Sequence, residues 1–243
     1  MANKYIAGGV GDMLLSLGQA DGPIDIYSHF RKARSLMEQF GVQVDKVGYY
    51  NEGMPKTEGD PLPMEQMPSW AQSFYNVQRR HKPHTDMPLI GLHPFGSEYS
   101  QKVWGKDGWP AKRISNESIE HILTTLETQY QFIVFGSASE IAELGHLQDH
   151  KAIFKTTTDT DMYESLSMVT WCDAMIATDS VMKTMSAICK IPTYVFMGNY
   201  VDKYRDNIFI DPYIRNGTMK VWQFVRCTPE LFEPAINELL LNR

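Results

Sequence analysis

The sequence predicts an α/β fold in which parallel strands are covered by helices, and three observations carry that expectation. The apolar run Cys172 to Ala177 ends in Thr178-Asp179-Ser180, passes into a helical stretch from Val181 to Cys189, and continues as Ile191-Pro192-Thr193-Tyr194-Val195-Phe196. Strand, helix and strand in that order make a βαβ unit, and polar groups at the first strand's carboxyl end stand where open parallel sheets bind ligands. Near the start, residues 4–7 form a short strand, Gly8-Gly9-Val10-Gly11-Asp12 a glycine turn, and Met13 to about Leu17 an apolar helix. Glycines there let the backbone fold sharply or approach a ligand closely. Between these two units, strand and helix patterns alternate, as a helix-covered parallel sheet requires.

Taken in order, Ile24 to Tyr27 reads as a strand, Phe30 to Phe40 as an amphipathic helix and Val42 to Tyr50 as another strand. Residues 51–69 hold four prolines and little periodicity, which predicts a long loop. Trp70, Phe74 and Val77 recur at helical spacing, and that helix ends in Arg79-Arg80-His81. Lys82 to Pro88 is polar and bracketed by prolines, as a linker would be. The boundary is therefore expected here, giving residues 1–86 and 87–243. Leu89 to Pro94 starts a strand, Ser115 to Thr128 is a helix, Phe132 to Phe135 a strand ending at Gly136-Ser137, and Glu140 to Leu147 a helix.

Composition narrows the function classes. The chain has 243 residues, 43% hydrophobic, enough to bury a sizeable core. A formal net charge of −6 argues against binding nucleic acid mainly by phosphate neutralisation. Residues 1–86 are nearly neutral, with 9 Lys and Arg against 10 Asp and Glu, and they hold two basic clusters, Arg31-Lys32-Arg34 and Arg79-Arg80-Lys82. An anionic partner or a solvated helix face fits these clusters. The three cysteines, Cys172, Cys189 and Cys227, lack metal-type spacing, and the first two lie in apolar runs. A reducing compartment is expected. No signal-like apolar stretch opens the chain and no run of eighteen apolar residues occurs, so the expectation is a cytoplasmic protein without a membrane span.

Several constellations have the residue types of a reactive or ligand-binding site. Asp12 fits a helix N-cap first and, as the alternative, a general base at the mouth of the sheet, and one residue can serve both purposes. Gly96 and Ser97, followed by Lys112-Arg113, suit a diphosphate, through small residues that expose amides and a lysine that supplies a point charge; an ordinary surface loop fits as well. Gly136 and Ser137 precede a helix whose amides would face an anion, and the stretch lacks the Gly-x-Gly-x-x-Gly pattern of dinucleotide binders. Asp159 and Asp161 suggest a divalent cation, whereas Asp161 with Glu164 suggests a capping box. The histidines lack metal spacing, and no metal is expected. Asp179 and Ser180, with Lys183 and Thr184 one turn on, suit a nucleotide's ribose or phosphates, or simply cap the helix.

Together these segments resemble the family-nine glycosyltransferases, which include the bacterial lipopolysaccharide heptosyltransferases. Gly11-Asp12-Met13-Leu14-Leu15 is similar to that family's Gly-Asp-x-Leu motif, and Trp109-Pro110-Ala111-Lys112-Arg113 to its Trp-Pro-x-Lys-x-Trp segment. Asp173 to Ser180 with Ile191-Pro192-Thr193 resembles its nucleotide-binding block, and Met197-Gly198 with Asp202 the Gly-Pro-Thr-Asp that follows. Where the family has Gly and then His after the Asp-Ser or Asp-Thr pair, this chain has Val181, Met182, Lys183 and Thr184. The resemblance implies two Rossmann-like domains facing a cleft, the GT-B architecture, in an unusually short version with a reduced N-terminal domain.

It further implies an inverting, metal-independent transfer of a sugar from a nucleotide-diphosphate sugar to an acceptor hydroxyl. Asp12 would be the base and Lys112 would face the diphosphate. Gly96, Ser97, Gly136, Ser137, Asp179, Ser180, Lys183 and Thr184 would hold the donor, and Gly9 and Gly11 would stand on the acceptor side. No cofactor is expected beyond the donor sugar. The acceptor would be a glycan; the alternative is a bacteriophage-type enzyme acting on hydroxymethylated bases in DNA. An alternative of another class is a nucleotide-sugar binding module without catalysis. An epimerase would need a second acid–base group, for which Glu98 is the candidate.

Overall fold

The computed structural model describes residues 4–17, 22–50, 67–96, 113–198, 211–224 and 227–241. The chain runs β1 (Lys4–Ala7), α1 (Val10–Ser16), β2 (Ile24–Tyr27), α2 (Ala33–Gln39), β3 (Val44–Gly48) and α3 (Ser69–Arg79). It continues with β4 (Leu89–His93), α4 (Asn116–Leu126), β5 (Gln131–Val134), α5 (Ala138–Ala142), a 3-10 turn (Gly145–Asp149), β6 (Ile153–Thr156), α6 (Met162–Val169) and β7 (Ala174–Ala177). The remaining elements are α7 (Val181–Ile188), β8 (Thr193–Gly198), α8 (Asp211–Arg215), β9 (Met219–Phe224), a 3-10 turn (Pro229–Phe232) and α9 (Glu233–Leu241).

Two parallel sheets result, as the alternating pattern predicts. The first has the order β1-β2-β3 and the second β6-β5-β4-β7-β8-β9. Counted from its own first strand, the second sheet reads 3-2-1-4-5-6, the doubly wound order of nucleotide-binding folds. The strand order reverses between β4 and β7, where His93 pairs in register with Ala177. Every residue of β4 and of β7 is buried, because helices cover both faces.

The first sheet packs on the second through helices. One continuous apolar cluster takes Ile6, Leu14, Ile26 and Met37 from the first part together with Ile133, Leu166, Val169, Met175 and Met185 from the second. A separate cluster, with Ile90, Leu92, Ile122, Phe132, Phe196 and Phe232, fills the opposite face of the larger sheet. The seam between the two parts is also polar. Arg79 donates to the carbonyls of Thr170 (2.7 Å) and Cys172 (3.0 Å) and to the Asp173 carboxylate, which also receives Lys82 (2.7 Å) and the Leu89 amide (3.0 Å). Burial alone would raise the Asp173 carboxyl, but the bonds from Lys82, Leu89 and Arg79 outweigh it and hold the group below the usual carboxylate range. The segment expected to be a linker is thus tied down at its first residue.

The helix expected over Phe30–Phe40 starts three residues later, at Ala33, and two others depart at their caps. The first begins at Val10, three residues before Met13, because Asp12 at the third helical position accepts the Gly9 amide and closes its first turn. The helix expected over 140–147 starts at Ala138, by the same device between Ser137 and Glu140, and gives way to the 3-10 turn at Gly145. Most of the loop expected over residues 51–69 lies outside the described residues. Among the described residues no helix is long and apolar enough to cross a membrane.

Candidate functional site

The switch between β4 and β7 is built by one threonine. The Thr178 amide donates to the His93 carbonyl (3.1 Å) and its hydroxyl to the Phe95 carbonyl (2.9 Å), so the β7 end clamps the turn that follows β4. Gly96 ends that clamped stretch and is buried. Ser180 then caps α7, its Oγ accepting the Lys183 amide at 3.3 Å. Helix geometry leaves the amides of Val181 and Met182 without an acceptor inside the helix, at the positive end of its dipole.

Lys183 does not stand free for an anion. Its ammonium lies 2.6 Å from Asp179 Oδ1, and the two side chains are 4% and 11% exposed. Thr184 donates to the Ser180 carbonyl (3.3 Å). Asp179, Lys183 and Thr184 therefore lie together at the start of α7, with the lysine neutralised by its own neighbour.

The β1–α1 turn meets this helix. Gly8 has a φ of +133°, a conformation that side-chain-bearing residues rarely adopt, and a β-carbon there would fall 2.5 Å from Asp12 Oδ2. Its amide donates to the Tyr27 carbonyl (3.0 Å), and its carbonyl accepts the Ser28 hydroxyl (2.8 Å). Asp12 returns to the turn by accepting the Gly9 amide (2.9 Å). Gly9 is thus the N-cap, and Asp12 stands at the third helical position rather than at the cap. A β-carbon on Gly11 would lie 3.2 Å from Thr184 Oγ1 and 3.9 Å from Val181 Cα. Residue 11 has no side chain because α1 and α7 touch there, and Asp12 is one residue from that contact.

His93 is a site residue to which sequence reasoning gave no role of its own. It ends β4 at the switch, is 8% exposed, and its Nδ1 has no hydrogen-bond partner among the described residues. Burial depresses its pKa to about 4, so the ring is neutral at ordinary pH. Gly8 and Ser28 were equally hidden. Three glycines in one turn look alike in sequence, and Ser28 acts from another strand.

Other candidates are engaged elsewhere. The Gly136 amide donates to Thr157 Oγ1 (3.0 Å) and the Ser137 amide to Glu140 Oε2 (2.8 Å), so these two amides are already bonded. Asp161 accepts the Glu164 amide (2.8 Å) while Glu164 accepts the Asp161 amide (3.0 Å), which makes the pair a capping box. Among the described residues, no three His, Cys, Asp or Glu side chains are grouped so as to hold a metal ion. Arg34 donates to the carbonyls of Val44 and Asp45, and Arg79 and Lys82 hold Asp173, so half of the two basic clusters braces the protein itself. Ser97, Lys112 and Glu98 lie outside the described residues.

A cavity of about 950 Å³ lies at the other end of the larger sheet, against Lys82 to Pro88, Asp173, Pro192 and Gly217. Four of its charged groups pair with one another, Lys82 with Asp173 and Lys220 with Glu238. The amide donors and the reversal of strand order are at the carboxyl edge instead, which makes that edge the candidate site.

No protein-family model matches the sequence, and no curated protein sequence does. Among solved structures, the chain is similar to ADP-heptose LPS heptosyltransferase II of E. coli, with 18% identity, 98% of each chain covered and a TM-score of 0.57. It is more distantly similar to the E. coli heptosyltransferase WaaC with ADP (10% identity, 94% of this chain and 76% of that one, TM-score 0.49). A family 9 glycosyl transferase from Veillonella parvula follows (17%, 92% and 61%, TM-score 0.43). The last two likenesses are too loose to argue from, and the first is one of fold. Along nearly its whole length, the chain shares the parallel-sheet α/β fold of that heptosyltransferase.

Proposed function

We propose that the protein is an inverting, metal-independent glycosyltransferase that moves a sugar from a nucleotide-diphosphate sugar to an acceptor hydroxyl. The observation that carries this reading is the contact of Gly11 with Val181 and Thr184, which brings the carboxylate-bearing turn of the first sheet to the amide end of α7. Asp12 takes the proton from the acceptor hydroxyl as that oxygen attacks the anomeric carbon, and the nucleotide diphosphate departs from the opposite face. Charge growing on the leaving diphosphate is met by the Val181 and Met182 amides that follow Ser180 and by the Gly96–Ser97 turn with Lys112. Lys183 then acts by holding Asp179 rather than by touching phosphate.

The test is a thermal-shift screen across nucleoside diphosphates and their sugars, followed by nucleotide release in the presence of acceptors, with and without a chelator. A bound donor raises the melting temperature by mass action, and transfer persists in the chelator. Absence of any shift with every nucleoside diphosphate contradicts the proposal.

A second reading, a nucleotide-sugar binding module without catalysis, is favoured by one observation: both the Asp12 carboxylate and the Lys183 ammonium are engaged by their own neighbours. Donor binding without release of nucleotide decides for it. A DNA acceptor draws no support from Arg34, Arg79 and Lys82 of the basic clusters, which are committed internally.

A further inference from the structure

The carboxyl edge of the three-stranded sheet carries a set of aromatic side chains that the donor reading does not use. Ala7, Tyr27 and Gly48 are aligned in register across β1, β2 and β3. Beyond that line, the Gly8 amide bonds Tyr27 and the Ser28 amide bonds Gly48 (3.1 Å), so the three chains leave the sheet side by side. The β1 exit leads to Asp12, the β2 exit to His29 and the β3 exit to Tyr49 and Tyr50. The His29 ring meets Tyr49 at 4.8 Å and Tyr50 at 5.2 Å, nearly perpendicular to both. Tyr49 is nevertheless 70% exposed. Large aromatic groups held in place yet open to solvent are the rigid amphipathic surfaces on which ring-shaped ligands settle at small entropic cost.

We propose that Tyr49 and Tyr50, braced by His29, form the acceptor subsite and seat a sugar ring of the acceptor. This rests on the transferase reading, because Asp12 is the group the seated ring must reach. Adjacent strands are about 4.8 Å apart, so the tyrosines stand roughly 10 Å, two strand spacings, from the Asp12 turn. A sugar resting on the tyrosines lies between them and that carboxylate, with its apolar face on the rings and its hydroxyls free.

Saturation-transfer NMR with methyl pyranosides of glucose, galactose and mannose tests the subsite on the full chain without a known acceptor. At least one glycoside is expected to show saturation at its ring protons in the unaltered protein, about fivefold weaker in Tyr49→Ala or Tyr50→Ala and retained in Tyr49→Phe. Thermal shifts with nucleoside diphosphates should be the same in all variants, which shows that each is folded. No glycoside saturation in the unaltered protein, or equal saturation in the alanine variants, overturns the proposal. So does loss in Tyr49→Phe as large as in Tyr49→Ala, or a hydroxymethylated DNA duplex that protects these tyrosines while glycosides do not. If nucleoside diphosphates fail to bind, the transferase reading falls instead.

Discussion

Gly11 and Thr184 face each other across the contact of α1 and α7, so close that a β-carbon on the glycine would lie 3.2 Å from the threonine hydroxyl. A larger residue must push the helices apart and carry Asp12 away from Ser180. Gly11→Val is expected to cost about 1–3 kcal/mol through overpacking, and Thr184→Ala in the same chain to return part of that loss. Denaturant unfolding of the single and double variants measures the coupling; simple additivity would deny the contact.

The Asp179–Lys183 pair is largely shielded from water, so removing the lysine takes a close countercharge from the carboxylate. Lys183→Met is expected to cost roughly 3–5 kcal/mol, and the double change with Asp179→Leu to cost less, since the carboxylate goes with its countercharge. Urea melts check this. A harmless Lys183→Met would show that Asp179 does not depend on the lysine.

His93 makes stability depend on pH. Its folded pKa is about 4 against 6.5 for the free group, so between these values the unfolded chain binds the extra proton. The contribution is fully present above pH 6.5, is lost as pH falls toward 4, and reaches about 3 kcal/mol. His93→Asn should flatten this part of the profile between pH 7.5 and 4.5, measured as the difference between the two proteins in urea. An unchanged slope would mean that His93 protonates freely in the folded state.

The βαβ unit around Thr178-Asp179-Ser180 was legible because its strands are buried on both faces and so stand out as apolar runs. Strand β6 was not, because it lies at the sheet edge with Phe154 and Lys155 exposed and its sequence Ile-Phe-Lys-Thr shows no such run. The outer strand β9 is buried only at its two ends, Met219 and Phe224, for the same reason. At the site, residue types announced Asp12, Asp179 and Lys183, but their pairing depends on side-chain direction. A lysine at the third position of a helix looks solvent-facing in sequence; only the fold shows it 3% exposed against Asp179. Gly8 was indistinguishable from Gly9 until the backbone gave it a φ of +133°. Tyr49 and Tyr50 needed the register of three strands to be placed at the same sheet edge as the Asp12 turn.

The central claim is that Asp12 removes the acceptor proton, and it is tested most directly by Asp12→Asn. Asparagine keeps an oxygen for the Gly9 amide, so the turn and donor binding should survive. Sugar transfer, measured as acceptor-dependent nucleotide release under saturating donor, is predicted to fall roughly 10²- to 10⁴-fold while the donor-induced thermal shift is unchanged. Near-normal turnover in Asp12→Asn would contradict the account.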